Sequence, residues 1–184
     1  MAQLRSWKAS TCCLGTAAQG RFRRCLHRLG VVWLVALLSG CATKSFQVND
    51  VQSAAFIERG VTQTIGDVTV TAAVPDAQET LALTGLDLYE QGIQPVWLKV
   101  ENNSATMIRT ALWSIDPLYF SPLEVAYMNR SGYGEEAFAT MERWFHENGI
   151  ERKVPAGEAR SGLVFTNLTP GTKGLNLDIF GGSV

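Results

Sequence analysis

Val61-Thr-Gln-Thr-Ile-Gly-Asp-Val-Thr-Val-Thr-Ala-Ala-Val74 alternates apolar and polar residues on both sides of Gly66-Asp67. Successive side chains of an extended chain point to opposite faces, so a period of two predicts strands at 61–65 and 68–74. The two residues between them are turn formers, which makes the unit a β-hairpin with one wet and one dry face. Pro75 ends the second strand.

The pattern recurs downstream. Pro95-Val-Trp-Leu-Lys-Val-Glu-Asn102 predicts a strand with Val96, Leu98 and Val100 on one side, and Asn102-Asn-Ser104 a turn. Residues 106–115 read as the returning strand, broken at Asp116-Pro117. Residues 123–128 form a further strand candidate, 158–166 carry Leu163 and Phe165, and 175–180 place Leu175, Leu177 and Ile179 in alternation. Residues 51–60 are ambiguous between a helical turn and a strand.

Helix signals are fewer. Asp76 with Glu79 three residues on forms a capping-box pattern for a short helix that Gly85 stops, and 86–91 read as one more turn stopped by Gly92. The clearest helix is 135–146. Glu135 and Glu136 favour its positive end, Asn148-Gly149 closes it, and Phe138, Met141, Trp144 and Phe145 share one stripe. About seven short strands with one or two inserted helices predict a mainly β protein, an immunoglobulin-like β-sandwich. An α+β arrangement is the runner-up.

The amino-terminal 40 residues are of another kind. They hold six basic residues and no acid, leaving ten of the 16 bases and all 17 acids to residues 41–184, a net charge of −7. An acidic body with scattered bases argues against nucleic-acid binding. The run Leu29-Gly-Val-Val-Trp-Leu-Val-Ala-Leu-Leu-Ser-Gly-Cys41 follows Arg28 and is free of charge. It is shorter than the roughly 20 residues of a bilayer span, yet fits the apolar core of a secretory signal, about 7–15 residues.

Leu38-Ser39-Gly40-Cys41 resembles the lipobox of bacterial lipoproteins: a large aliphatic, two small residues, then cysteine. The resemblance implies diacylglycerol on the Cys41 sulfur, cleavage between Gly40 and Cys41, and a further acyl chain on the new amino terminus. It also implies Ala42 rather than Asp after the lipidated residue, the form directed to the periplasmic face of the outer membrane; the inner membrane is the alternative. The competing reading is an anchor helix with an incidental cysteine. Arg23-Arg24 matches a twin-arginine export signal poorly. The expected organisation is a signal peptide at 1–40, a polar lipidated tether at 41–50 and one domain at 51–184.

Cys12, Cys13 and Cys25 leave with such a leader and Cys41 is taken by lipid, so the domain has no thiol for a disulfide, a metal or nucleophilic catalysis. It keeps one histidine, His146, without a Gly-x-Ser-x-Gly elbow, and reads as a helix-surface residue. No cofactor is expected beyond the lipid on Cys41, and no metal: Asp87, Glu90 and Asp116 lack a calcium-loop spacing.

Trp113-Ser-Ile-Asp-Pro-Leu-Tyr-Phe-Ser-Pro122 combines aromatics, a carboxylate and two prolines. It reads either as a binding loop using Trp113, Asp116, Tyr119 and Phe120, or as a structural corner with Asp116 holding nearby amides. Asn102-Asn-Ser104 and Asn129-Arg-Ser131 match the glycosylation pattern by chance.

Gly92-Ile-Gln-Pro-Val-Trp-Leu-Lys-Val-Glu-Asn102, Asp116-Pro-Leu-Tyr-Phe-Ser-Pro-Leu-Glu-Val-Ala-Tyr127 and Gly162-Leu-Val-Phe-Thr-Asn-Leu168 resemble the LssY carboxy-terminal domain family over about residues 56–180. The resemblance implies a membrane-associated location and no established chemistry. Family members continue past the position of Phe180 with another apolar stretch, whereas this chain ends Gly181-Gly-Ser-Val184, so the last strand is expected to be missing or its open edge covered by a partner. The sequence therefore supports a non-catalytic, membrane-anchored envelope module with an envelope protein as possible partner. One alternative is an enzyme or accessory factor acting on lipid or cell-wall material. Another is a subunit completed by a partner's strand.

Overall fold

The structure is a computed structural model that describes residues 44–171 and 173–181. These residues form two antiparallel sheets and three α-helices. β1 (Val61–Ile65) and β2 (Val68–Ala73) make the expected hairpin, with Ile65 opposite Val68. Gly66 has φ +58° and, among the described residues, no non-glycine residue has positive φ, so Asp67 does not, the pattern of a type II′ turn whose twist suits a two-residue hairpin.

β3 (Ile93–Asn102) pairs with β2 on one side and with β6 (Ala159–Asn167) on the other, giving the order β1-β2-β3-β6. β4 (Ile108–Ala111) lies between β5 (Lys153–Val154) and β7 (Asp178–Gly181) in the second sheet. The helices are α1 (Ala77–Thr84), α2 (Pro122–Met128) and α3 (Glu135–Asn148).

β3 is buried on both faces from Ile93 to Leu98, while Lys99 and Glu101 near its end pair at 3.0 Å and are partly exposed. Ile93 and Trp97 join the core formed by α1, α2 and α3, together with Leu163 and Phe165 of β6. Val96, Leu98 and Val100 join a second core with Ile108, Val154 and the partly buried Leu175, Leu177 and Ile179. β3 and β6 therefore contribute to a helix-side core on one face and to a core shared with the second sheet on the other, while β1 belongs to neither.

Several local expectations are corrected. Residues 123–128 are helical, not a strand. A short apolar run is ambiguous by periodicity, and here the end chemistry decides. The Ser121 hydroxyl accepts the Glu124 N–H, Glu124 returns to the Ser121 N–H, and Pro122 stands at the first helical position. With α2, the helices number three rather than one or two. Residues 51–60 contain a 3-10 turn, Ala55–Arg59. The strand expected over 106–115 is only β4, because Leu112–Ser114 turns and the Ser114 hydroxyl bonds back to the Ala111 carbonyl at 2.7 Å. The last strand begins at Asp178 rather than 175. The dry face of the hairpin is confined to β2, since every residue of β1 is exposed.

The chain expected to be a loose tether is docked from Lys44 onward. The Lys44 N–H donates to the Gly132 carbonyl at 3.2 Å, and Phe46 meets Trp144 edge-on at 5.9 Å. Asn49 donates to the Ala82 and Leu83 carbonyls, and its own carbonyl accepts the Trp144 indole N–H at 2.8 Å.

Two residues fix how loops close on β3 and β6. Buried Asn102 donates its amide to the carbonyls of Thr106, Val154 and Pro155 and accepts from Ser104. Gly162 admits the 148–150 segment against β6: a Cβ there would lie 2.7 Å from the Ile150 nitrogen and 2.8 Å from its Cα. Both obstacles are backbone, so Gly162→Ala is expected to lower unfolding free energy by about 1–3 kcal/mol. Gly181→Ala, whose Cβ meets nothing within 4 Å, is expected to leave it unchanged. Denaturant titration of the two variants checks this.

Candidate functional site

The second sheet does not extend over the whole face it covers. Directly opposed residues of a ladder share a face, so Val61, Gln63 and Ile65 of β1 stand on the same side as Ala72, Val70 and Val68 of β2. That side, with Leu98 of β3, forms one wall of a cleft of about 1210 Å³; Gly171, Lys173 and residues 175–181 line the other. Val61 and Ile65 are 75% and 73% exposed. The volume exceeds the roughly 300–1,000 Å³ of ordinary ligand pockets, and the shape is an open trough.

One polar group in this trough is incompletely satisfied. Gln94 lines it and is buried; its amide nitrogen donates to the Tyr89 hydroxyl at 3.3 Å, while its amide oxygen has no partner. A buried unpaired acceptor costs about 1–3 kcal/mol, and this oxygen is closed off from the open space of the trough. The charged residues of the lining are Arg59, Asp67, Lys173 and Asp178. Arg59 is held by Glu79 through paired hydrogen bonds. Lys173 is half-buried and donates to the Asn167 carbonyl at 2.8 Å; burial pushes its ammonium below the usual range, partly opposed by Asp116.

The edges beside the trough are open among the described residues. β7 pairs only with β4, and β1 only with β2. The other edge of β6 is treated differently. The Phe120 N–H donates to the Phe165 carbonyl at 2.8 Å and the Ile150 N–H to the Leu163 carbonyl at 3.1 Å.

The loop from Trp113 to Phe120 belongs to that covered edge. Asp116 accepts the Leu118 N–H at 2.9 Å through one oxygen, and the Asn167 backbone and side-chain N–H groups at 2.7 and 2.9 Å through the other. Burial tends to raise its pKa, but the donors from Asn167 and Leu118 outweigh burial and hold it below the usual carboxylate range. Tyr119 packs on the sheet-side core and Phe120 on the helix-side core. Trp113 alone of the four has a large free surface, at 54% exposure. The structure thus brings Asp116 to a corner and leaves Trp113 available for contact.

Asp87 and Glu90 sit in the turn after α1, where Asp87 accepts the Glu90 N–H at 3.0 Å. Among the described residues no group of three His, Cys, Asp or Glu side chains could hold a metal ion. His146 is exposed in the last turn of α3. Asn102 of the first glycosylation pattern is buried with its amide engaged. Cys41 and Gly40 lie outside the described residues. The trough itself was not read from the sequence; its only signal was the apolar alternation of β1, which looked like an ordinary buried face.

Comparison of the chain with protein-family models, with curated proteins and with solved structures returns no match.

A carboxylate whose folded pKa is depressed stabilises the fold above its unfolded pKa, and the contribution is lost as pH falls through the folded value. Asp116→Asn is therefore expected to lower the unfolding midpoint at neutral pH. The gap to the unsubstituted protein should close as the solution is acidified through and below the ordinary carboxylate range. Denaturant midpoints measured against pH test this.

Proposed function

We propose that the chain is a lipid-anchored, non-catalytic envelope lipoprotein whose domain binds a partner through the trough between its sheets. The observation that carries the binding role is the trough: apolar walls and, among the described residues, two open strand edges. The anchoring rests on Leu38-Ser39-Gly40-Cys41 after an uncharged apolar run, and Ala42 favours the periplasmic face of the outer membrane. Two or more acyl chains hold a soluble domain where one does not, since each buried CH₂ contributes about 0.8 kcal/mol. The resemblance to the LssY carboxy-terminal domain, carried by the residues quoted above, agrees with a membrane-associated place.

The fold reading that accompanies this is an open immunoglobulin-like sandwich with a helical layer on its outer face. It is supported by the core shared between the two sheets. An acid–base enzyme acting on lipid or cell-wall material has weaker support. Asp116, the carboxylate that motivated it, is committed to N–H donors and held low, whereas a general acid needs the opposite shift.

One observation favours a second reading, a subunit completed by a partner's strand. β7 has a neighbour on one side only, and the apolar residues of β1 that another strand in the second sheet would cover are open. Strand addition satisfies edge backbone groups while alternate side chains fill apolar sites.

Fractionation of cells tests the anchor. The unsubstituted protein is expected in membranes and Cys41→Ser in the soluble fraction; recovery of the unsubstituted protein in the soluble fraction contradicts the reading. Binding of the neutral apolar fluorophore Nile red tests the trough. Ile65→Lys is expected to keep the unfolding midpoint, because Ile65 is 73% exposed, and to weaken probe binding about tenfold, equivalent to about 1.4 kcal/mol. Unchanged probe binding contradicts the trough as the apolar site.

A further inference from the structure

The described chain begins at Lys44, and Lys44 is pinned. Its N–H donates to the Gly132 carbonyl at 3.2 Å, it bridges Tyr133, and its ammonium sits 5.8 Å from the Tyr133 ring centroid. Three Cα–Cα steps separate Cys41 from Lys44, a reach of at most about 11 Å. A lipid on the Cys41 sulfur therefore holds the connection between α2 and α3 next to the bilayer, whatever the length of tether the sequence suggests.

That connection lies at one end of β3. Asn129, just after α2, exchanges hydrogen bonds with Gln91 at 2.7 and 3.2 Å, two residues before Ile93. Leu118 lies at the same end, because its carbonyl accepts from Asn167, the partner of Ile93. Exposed apolar side chains gather there: Leu118 at 77%, Tyr127 at 58%, and Leu123 and Met128 beside them. The opposite end of β3, where Asn103 bonds to the Asp67 carbonyl, is about 30 Å away at about 3.3 Å per residue.

We propose that this end of the domain rests on the lipid surface, with Tyr127, Met128, Leu123 and Leu118 entering the headgroup region and Asp67 facing away. This deepens the anchored reading and rests on Cys41 carrying lipid. The footprint is apolar rather than electrostatic. Lys44 and Arg130 are basic, but Arg130 pairs with Glu135 at 2.9 Å and Glu90 and Glu124 are exposed nearby. A tyrosine ring with a polar tip suits the interface. The lipid fixes the domain at the membrane, and the protein face is the second attachment that sets the orientation a tether alone would leave free.

The test uses the mature protein purified from membranes and reconstituted in phosphatidylcholine vesicles. With Cys41 consumed by lipid, a thiol introduced by Tyr127→Cys, Leu118→Cys or Asp67→Cys is the one that accepts a nitroxide. The nitroxides at 127 and 118 are expected to collide with oxygen several-fold more, relative to an aqueous nickel complex, than the nitroxide at 67. Vesicle-bound protein with the same ratio at all three positions overturns the orientation while leaving the anchor intact. A free thiol at Cys41 in the unsubstituted protein, seen by maleimide labelling, overturns the anchor and the orientation with it. Leu118→Cys alters a side chain that is 77% exposed, so the comparison survives if Tyr127→Cys weakens the ring contact with Phe138.

Discussion

A strand buried on both faces over most of its length determines the rest of the structure. Ile93, Val96, Trp97, Leu98 and Val100 of β3 are all buried, so both sides of β3 must be covered. Antiparallel sheets usually keep one solvated face; here each face has its own core. On one side Trp97 and Ile93 meet Phe145, Met141 and Val125 from the helices. On the other Val96, Leu98 and Val100 meet Ile108 and Val154 from the second sheet. Each fully buried side chain of this size contributes about 1.5–3 kcal/mol. Neighbours follow the same logic. β6 supplies Leu163 and Phe165 to one core and Val164 to the other, and Gly162 lets the 148–150 segment close against it.

The two covers differ in extent. The helical layer covers β6, the first half of β3 and the end of β2 at Ala73, and is extended by the amino-terminal strip of Lys44, Phe46 and Asn49. The second sheet has three strands against four and leaves β1 bare, which is how the trough arises. An apolar surface left beside open edges is a liability in an isolated protein and an asset in one that binds an extended or apolar partner.

Much of the architecture was legible because local and tertiary preferences agree. The β1–β2 hairpin, β3, β6, α3 and the capping box of α1 follow from period and end chemistry. The failures have specific causes. The run Leu-Glu-Val-Ala-Tyr-Met fits strand or helix, and Ser121-Pro122-Leu123-Glu124 held the deciding information as a capping box. Alternation in β1 tells which residues share a face, but not whether anything covers that face. The strip from Lys44 to Asp50 looked like a tether because its polar atoms meet partners far along the chain, such as Asn49 with Leu83 and Trp144. Asp116 illustrates the limit for sites: its residue type suited a binding loop or a corner equally, and only Asn167, 51 positions away, distinguishes them.

Native-state amide hydrogen exchange measures this hierarchy of cover directly. If burial on both faces of β3 organises the fold, amides of Trp97, Leu98 and Val100 and of Gly162 and Val164, which face β3 in the antiparallel register, exchange slowest, by global unfolding only. Thr62 and Thr64 of β1, with an open edge and a bare face, exchange orders of magnitude faster. Protection of Thr62 and Thr64 equal to that of Val100 in the isolated protein would contradict both the central place of β3 and the openness of the trough.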